Sequence, residues 1–373
     1  MKSRTLILLL IVLVALAMFI SKVGRRSHEA SPTELGQRVL HTKDINAIER
    51  IELTSGTQQV VLARTDGEWV VGSLWDYPAQ FEPIAALLRQ LDQLRVGEVI
   101  RGGTEILDEF GLAESATSFP VRVKLFESAD TATDDLLIGL PRTSSAMPAG
   151  YSMPDSRYYR SGDGEVVIAE PFVEEVRRRP TDWIVSKLPS FGPSEIGSMT
   201  AYPTNGAMYA LDRDADGTYS GAGALTGKVI NVASAEIWFR SLQNLSTRSI
   251  VDPATDAEAL ARGAGGSAVA HLTNGIVVRV ELGALTPENM GHYGWLTFTY
   301  EEPPALEHGD EAALAADRAA RDAAREEAEK LQARYGHWIY VFDYSQATKL
   351  LFLPDQLIVA NAAPPPLPPA AKD

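Results

Sequence analysis

Asp212, Asp214 and Asp216, followed by Gly217, form the D-x-D-x-D-G opening of a calcium loop. Carboxylates at alternate positions can converge on a hard cation that prefers oxygen ligands. The closing position of such a loop should carry a bidentate glutamate, and here it is Gly223. The same stretch also reads as an ordinary hairpin turn, which is the reading adopted. Histidines stand at 28, 41, 271, 292, 308 and 337 without the H-E-x-x-H spacing, and there is no cysteine to complete a zinc site. Nor does the chain contain a G-x-S-x-G elbow, a Walker loop or a strand-linked G-x-G-x-x-G. The glycine-rich stretches Arg101–Gly103 and Arg262–Gly266 lie between a loop and a strand, not ahead of a helix N-terminus where phosphate binds. No catalytic, cofactor-binding or metal-ligating residue is therefore assigned. A hydrolase would need a pocket joining His271 or His292 to carboxylates from separate strands.

Other conspicuous side chains have plainer readings. The pairs Glu174-Glu175 and Glu326-Glu327 are expected on solvated helix faces. Arg177-Arg178-Arg179 is expected to end a helix before Pro180, where cations favour the dipole. Trp69, Trp183, Trp238, Trp295 and Trp338 fall within apolar patterns and are expected in the core rather than on a carbohydrate platform.

The elements that must position these residues begin with an apolar run, Thr5 to Ile20, between MKSR and SKVGRR. Sixteen helical residues span roughly 24 Å against a hydrocarbon core of about 30 Å, and flanking Arg4 and Lys22 can snorkel to extend them. A signal anchor is expected over residues 1–26. The alternative is a signal peptide cleaved at Ala15-Leu16-Ala17, which would leave an apolar stub. Flanking basic residues nearly balance, but a short basic head normally stays inside, so the body is expected on the periplasmic side of a bacterial inner membrane. Five of the 34 basic residues and none of the 49 acidic ones precede residue 27, leaving the remainder a formal charge of −20. Such a body is repelled by nucleic-acid phosphates and by anionic lipid head groups.

The chain also repeats itself at an offset near 150 residues. Ile48–Leu53 resembles Ile196–Ala201, and VVLARTDGEW (Val60–Trp69) resembles MYALDRDADGTY (Met208–Tyr219), each a hairpin around Asp-Gly. The helical stripe Leu87, Leu91, Leu94 recurs as Trp238, Leu242, Leu245, followed each time by a short strand. Val121–Phe126 with Leu136–Leu140 matches Ala268–Leu272 with Val277–Leu282, and Arg157–Ala169 resembles Gly291–Tyr300. Asp182–Leu188 is paired with His337–Phe342, each carrying Trp-Ile. The expected architecture is α+β: an N-terminal transmembrane helix, then two homologous repeats, each an antiparallel sheet with a packed helix. The expected boundaries are an anchor over 1–26, a tether over 27–44, repeats over 45–190 and 191–360, and a Pro-rich tail over 361–373. An Ala-rich helical insertion (309–335) interrupts the second repeat, and it reads either as a solvated surface helix or as a partner-docking arm. The tail APPPLPPAA (Ala363–Ala371) reads as extended polyproline II.

The Asp-Gly-Glu-Trp69 hairpin, the helix LLRQLDQL, the EFGL turn (Glu109–Leu112), LLIG, RYYR and PFVEEVRRRPTDWI together resemble the uncharacterised bacterial family catalogued as domain of unknown function 4340. The resemblance covers roughly residues 48–345. It implies single-pass membrane proteins associated with gliding-motility-type ABC transporters, and it transfers no catalytic residue. The expected function is accordingly a non-enzymatic, membrane-anchored periplasmic protein. It would serve as an auxiliary or scaffold of an ABC-type transporter or envelope complex, with membrane or periplasmic protein partners and no cofactor. The alternatives are a ligand-binding module taking a lipid, glycan or peptide in a cleft between the repeats, and a hydrolase.

Overall fold

The structure, a computed structural model, describes residues 35–359 except 101–105, 115–119, 129–130, 143–153, 175, 288–290, 306–307 and 309. The first half contains β1 (Arg50–Ser55), β2 (Gln58–Thr65), β3 (Glu68–Val71), β4 (Tyr77–Pro78), α1 (Phe81–Gln93) and β5 (Arg95–Ile100). It continues with β6 (Val121–Phe126), β7 (Asp134–Arg142), β8 (Ser156–Ser161) and β9 (Val166–Glu170). The second half begins with β10 (Ile196–Tyr202), β11 (Tyr209–Arg213), β12 (Tyr219–Gly223), α2 (Val232–Phe239) and β13 (Ser249–Val251). It ends with β14 (Gly266–Leu272), β15 (Ile276–Leu285), β16 (Gly291–Tyr300), α3 (Glu311–Tyr335), β17 (Ile339–Asp343) and α4 (Tyr344–Leu350).

These strands follow from alternation. In β1, Ile51, Leu53 and Ser55 are buried and the residues between them are half-exposed, as a sheet covered on one face requires. In α1 the stripe Ile84, Leu87, Leu88, Leu91 is buried, and Glu82 pairs with Arg89 in solvent. The strands form two antiparallel sheets, in the orders β4-β3-β2-β1-β6-β7-β8-β9-β5 and β12-β11-β10-β14-β15-β16-β17-β13. Apart from β4, every strand of the first sheet has a counterpart at the same position in the second. Backbone pairs outside the strands correspond too. Val39 N–H donates to Leu94 O at 3.3 Å and Val96 N–H to Gln37 O at 3.0 Å; Leu188 N–H donates to Leu245 O at 3.1 Å and Thr247 N–H to Ser186 O at 2.8 Å.

Sheet position corrects one pairing made from sequence. β17 occupies the place of β9, so His337–Phe342 is the counterpart of β9 and not of Asp182–Leu188. Accordingly α3 fills the connection that in the first sheet is the short turn between β8 and β9. The counterpart of Asp182–Ile184 is instead Gln356–Ile358. Single-turn helices at Pro180–Asp182 and Pro354–Gln356 each lead to an isolated antiparallel bridge, Ile184 to Ala79 and Ile358 to Ile230. Ala79 and Ile230 each stand two residues ahead of a helix. The segment around Arg177–Arg179 also differs from expectation, since its described residues are not helical. Val173 and Val176 are buried three residues apart, which mimics helical spacing, but they anchor an irregular segment bounded by Pro171 and Pro180.

The expected architecture is further corrected on the membrane. Among the described residues no helix is long and apolar enough to cross one. The longest helix, α3, buries only Ala324 and Ala328 and is otherwise heavily charged. The expected anchor over 1–26, residues 27–34 of the tether and the Pro-rich tail lie outside the described residues. A membrane-anchored function, a single-pass location at the inner membrane and membrane partners reached through that helix therefore find no support among the described residues.

By compactness the described chain divides into two units, one holding residues to 59 and 82–178, the other 60–81 and 179 onward. In unit one the core gathers Ile51, Leu53, Leu91, Val123, Leu125 and Tyr159. In unit two it gathers Leu62, Trp183, Met199, Trp238, Tyr340 and Phe342.

Candidate functional site

Within unit two, three separated stretches enclose a groove of about 440 Å³, a volume typical of small-ligand sites. The first is Pro189–Glu195. Leu188 is paired with Leu245, the Ser190 hydroxyl donates to Gln243 O at 2.8 Å, and Phe191 follows on the groove wall. A single turn, Pro193–Glu195, then enters β10, and the Glu195 carboxylate accepts from Gly192 N–H at 2.6 Å.

The second stretch is the turn between β14 and β15, Leu272 to Ile276. Thr273 N–H donates to Glu195 O at 2.8 Å, joining it to the first stretch. Gly275 must be glycine: its φ is +92°, and an added Cβ would lie 2.5 Å from Glu301 O. The Asn274 side chain accepts from Ile276 N–H at 3.2 Å, which holds the turn closed.

The third stretch is the last turns of α3, which present Glu327, Leu331 and Tyr335. Buried Ala324 and Ala328 let this helix approach the sheet closely. Gln332 accepts from Phe298 N–H at 2.7 Å, Trp338 Nε1 donates to Arg334 O at 3.1 Å, and the Tyr340 hydroxyl donates to Tyr335 O at 2.8 Å. Arg321 pairs with Asp317 at 2.8 Å and with Glu302 at 2.9 Å. The helix is therefore pinned along the half that forms the groove. Phe298 lies between Phe191 and Tyr335, with ring centres 6.4 and 6.3 Å away. The lining thus mixes apolar and aromatic side chains with Ser190, Thr273 and Asn274, and its charged members are Glu195 and Glu327, with no Lys or Arg.

The equivalent place in unit one is built differently. Residues 40–42 correspond to 189–191 through the matched backbone pairs of Val39 and Leu188. There Asp134, buried, accepts from His41 N–H at 2.6 Å, from Thr42 N–H at 3.0 Å and from the Thr42 hydroxyl, with the His41 ring 3.1 Å away. A carboxylate staple thus stands where unit two has an open groove.

The residues singled out by sequence are scattered. The Asp212–Gly217 stretch is a hairpin loop between β11 and β12: Asp214 N–H donates to Thr218 O at 3.0 Å, and Asp216 accepts from Thr218 N–H at 3.0 Å. Those bonds also hold the Asp216 carboxyl below the usual carboxylate range, with the Thr218 amide as the main cause. Among the described residues no group of three His, Asp or Glu could hold a metal ion. Asp66 and Gly67, with φ of +52° and +86°, make the tighter two-residue turn of the first hairpin.

His271 lies 3.3 Å from Glu301, both substantially in solvent, and His292 Nδ1 lies 3.0 Å from Gly283 O while its ring stacks on Tyr344. His337 Nδ1 lies 3.1 Å from Ala333 O. His271 and His292 therefore stand in separate surroundings and share no pocket. Trp69, Trp183, Trp238, Trp295 and Trp338 are all buried. Glu326 and Glu327 lie on α3, with Glu326 paired to Lys330 at 2.7 Å. Arg262 pairs with Glu281 over the Trp295 ring, so its glycine-rich neighbours form a turn into β14. His28, Arg101–Gly103 and Glu175 lie outside the described residues.

Sequence reasoning missed Phe191, Leu331 and Tyr335. The available signal was on the insertion, where Leu331 and Tyr335 stand four apart as the large apolar residues closing an alanine face.

Residues 69–262 match the family model described as Domain of unknown function (DUF4340). No curated protein and no solved structure matches the chain. The matched span takes in the Pro189–Glu195 wall of the groove, while the Leu272–Ile276 turn and α3 lie beyond it.

Proposed function

We propose that this chain, which belongs to the family described as Domain of unknown function (DUF4340), is a non-enzymatic binding module whose ligand seats in the groove beneath the C-terminal half of α3. The observation that carries this is a cavity of about 440 Å³ with two aromatic rings on its lining and walls already held by hydrogen bonds. Its polar groups favour holding over reacting. The Ser190 hydroxyl is spent on Gln243 O, the Glu195 carboxylate on Gly192 N–H, and Asn274 on its own turn. A nucleophile activated by a base would need those groups free to meet a substrate.

Methyl NMR of the whole chain tests this. Hexan-1-ol should shift the methyl signals of Leu272, Ile276 and Leu331 together and saturably. Leu331→Trp, which fills the groove, should abolish the shifts while the unfolding temperature stays close to wild type. Absence of any shift at these three residues in the folded protein would overturn the reading.

A further inference from the structure

We infer that the group this groove selects is an alkylammonium, with its chain on the apolar wall and its cationic head near the rings, between Glu195 and Glu327. The inference rests on the groove being a binding site, and it adds the chemical class of the ligand. Three features of the lining point the same way. The charged side chains on it, Glu195 and Glu327, are both anionic. Two rings, Phe191 and Tyr335, stand on the lining, with buried Phe298 packed behind them at ring-centre distances of 6.4 and 6.3 Å. Ring faces attract ammonium groups through their quadrupole, and the attraction grows as the cation is desolvated. The remaining apolar wall, Leu272, Ile276 and Leu331, offers a bed for methylenes, each of which gains from leaving water.

Two cations carried by the last turns of α3 are already engaged. Lys330 on α3 is paired with Glu326 at 2.7 Å, and Arg334 stands 5.6 Å from the centre of the Tyr335 ring and lines a separate small cavity with Tyr77 and Trp338. Glu195 spends one oxygen on Gly192, which fixes the carboxylate in place, and Glu327 is exposed at the rim. A carboxylate ligand would meet two like charges, and a neutral one would offer neither carboxylate a counter-charge. An alkylammonium can come from a free amine or from a lysine side chain in a peptide, and the same contacts serve both.

Isothermal titration with three probes of one chain length, hexylammonium, hexan-1-ol and hexanoate, separates the outcomes. Hexylammonium is expected to bind at least tenfold more tightly than hexan-1-ol, with hexanoate weakest. Glu327→Gln, at an exposed position, should reduce that preference severalfold. Raising the salt should weaken hexylammonium alone, since exposed charges are screened. Equal binding of hexylammonium and hexan-1-ol overturns the inference and leaves the groove as a site. Binding of none of the three overturns the groove together with its ligand class. Stronger binding of hexanoate overturns the charge argument outright. With the preference established, spermidine against an acetylated Leu-Lys-Leu peptide distinguishes the sources: whichever competes hexylammonium at lower concentration carries the physiological head group.

Discussion

Thr42 sits directly on Asp134: both its backbone N–H, at 3.0 Å, and its hydroxyl donate to one carboxylate oxygen, while His41 N–H donates to the other at 2.6 Å. The pairing ties the segment ahead of β1 to the start of β7 within unit one. A buried carboxylate is tolerated here because its oxygens are satisfied by several donors at once.

Asp134→Ala would leave the Thr42 N–H and hydroxyl buried without an acceptor. Hydrogen bonds to charged groups are worth about 1.5–3 kcal/mol each, and orphaned donors add a desolvation cost. Unit one is expected to lose roughly 3 kcal/mol, and the amides of Val39, His41 and Thr42 to exchange much faster. Unchanged exchange at these amides would show that the staple is not what holds the segment.

Gly139 explains part of the motif that carries the family resemblance. The EFGL turn (Glu109–Leu112) lies so close to β7 that a Cβ on Gly139 would fall 2.3 Å from Phe110 O, the atom that accepts from Leu140 N–H at 2.8 Å. Gly139→Ala must push this turn away or bend the strand. The expected loss is about 1–3 kcal/mol, the usual cost of overpacking. Urea unfolding measures it, and a neutral substitution would mean that the turn is free to move.

Much of this architecture was legible in the sequence, because the signals were local. Alternation gave β1, β6 and β14, and the leucine stripe gave α1. The repeated order of hairpin, helix and strand foretold that the two sheets would share one strand order. The Trp-Ile pair misled, because Trp183-Ile184 and Trp338-Ile339 look alike although one forms an isolated bridge and the other opens β17. The buried pair Val173 and Val176 likewise imitated a helix. The groove was not legible, since Phe191, Ile276 and Leu331 meet only after the sheet and α3 have formed. Burial in a sequence pattern says that a residue is covered, not which distant residue covers it.

Tyr219 should be among the first of the shifted tyrosines to ionise in alkali. Its hydroxyl donates to Glu236 at 2.7 Å, and burial first, then Glu236, pushes its pKa up to about 12. Tyr77, Tyr159, Tyr209 and Tyr340 are pushed further, chiefly by burial. A raised pKa means that the stabilisation is complete below the unfolded value near pH 10 and is lost as pH rises through about 12. Tyrosinate absorbance should therefore show a step near pH 12 that Tyr219→Phe removes and that Glu236→Gln moves downward. No change of the step in Glu236→Gln would assign the shift to burial alone.

Asp343 provides the acid-side counterpart in unit two. It caps α4 by accepting from Ser345 N–H at 3.0 Å and pairs with Arg248 at 2.8 Å. The Ser345 amide first, and Arg248 after it, hold its carboxyl below the usual carboxylate range. A lowered pKa contributes stability above the unfolded value near pH 4, and that contribution is lost as pH falls through the folded value below it. Asp343→Asn keeps an acceptor for the helix but removes the charge. It should lower stability at pH 7 modestly and flatten the dependence of stability on pH below about 4. Asp343→Ala removes the cap as well and should cost about 1 kcal/mol. Urea midpoints for the three proteins at pH 7 and pH 3 decide the matter. If the wild type and Asp343→Asn lose the same stability on acidification, the Ser345 and Arg248 contacts do not stabilise the charged form.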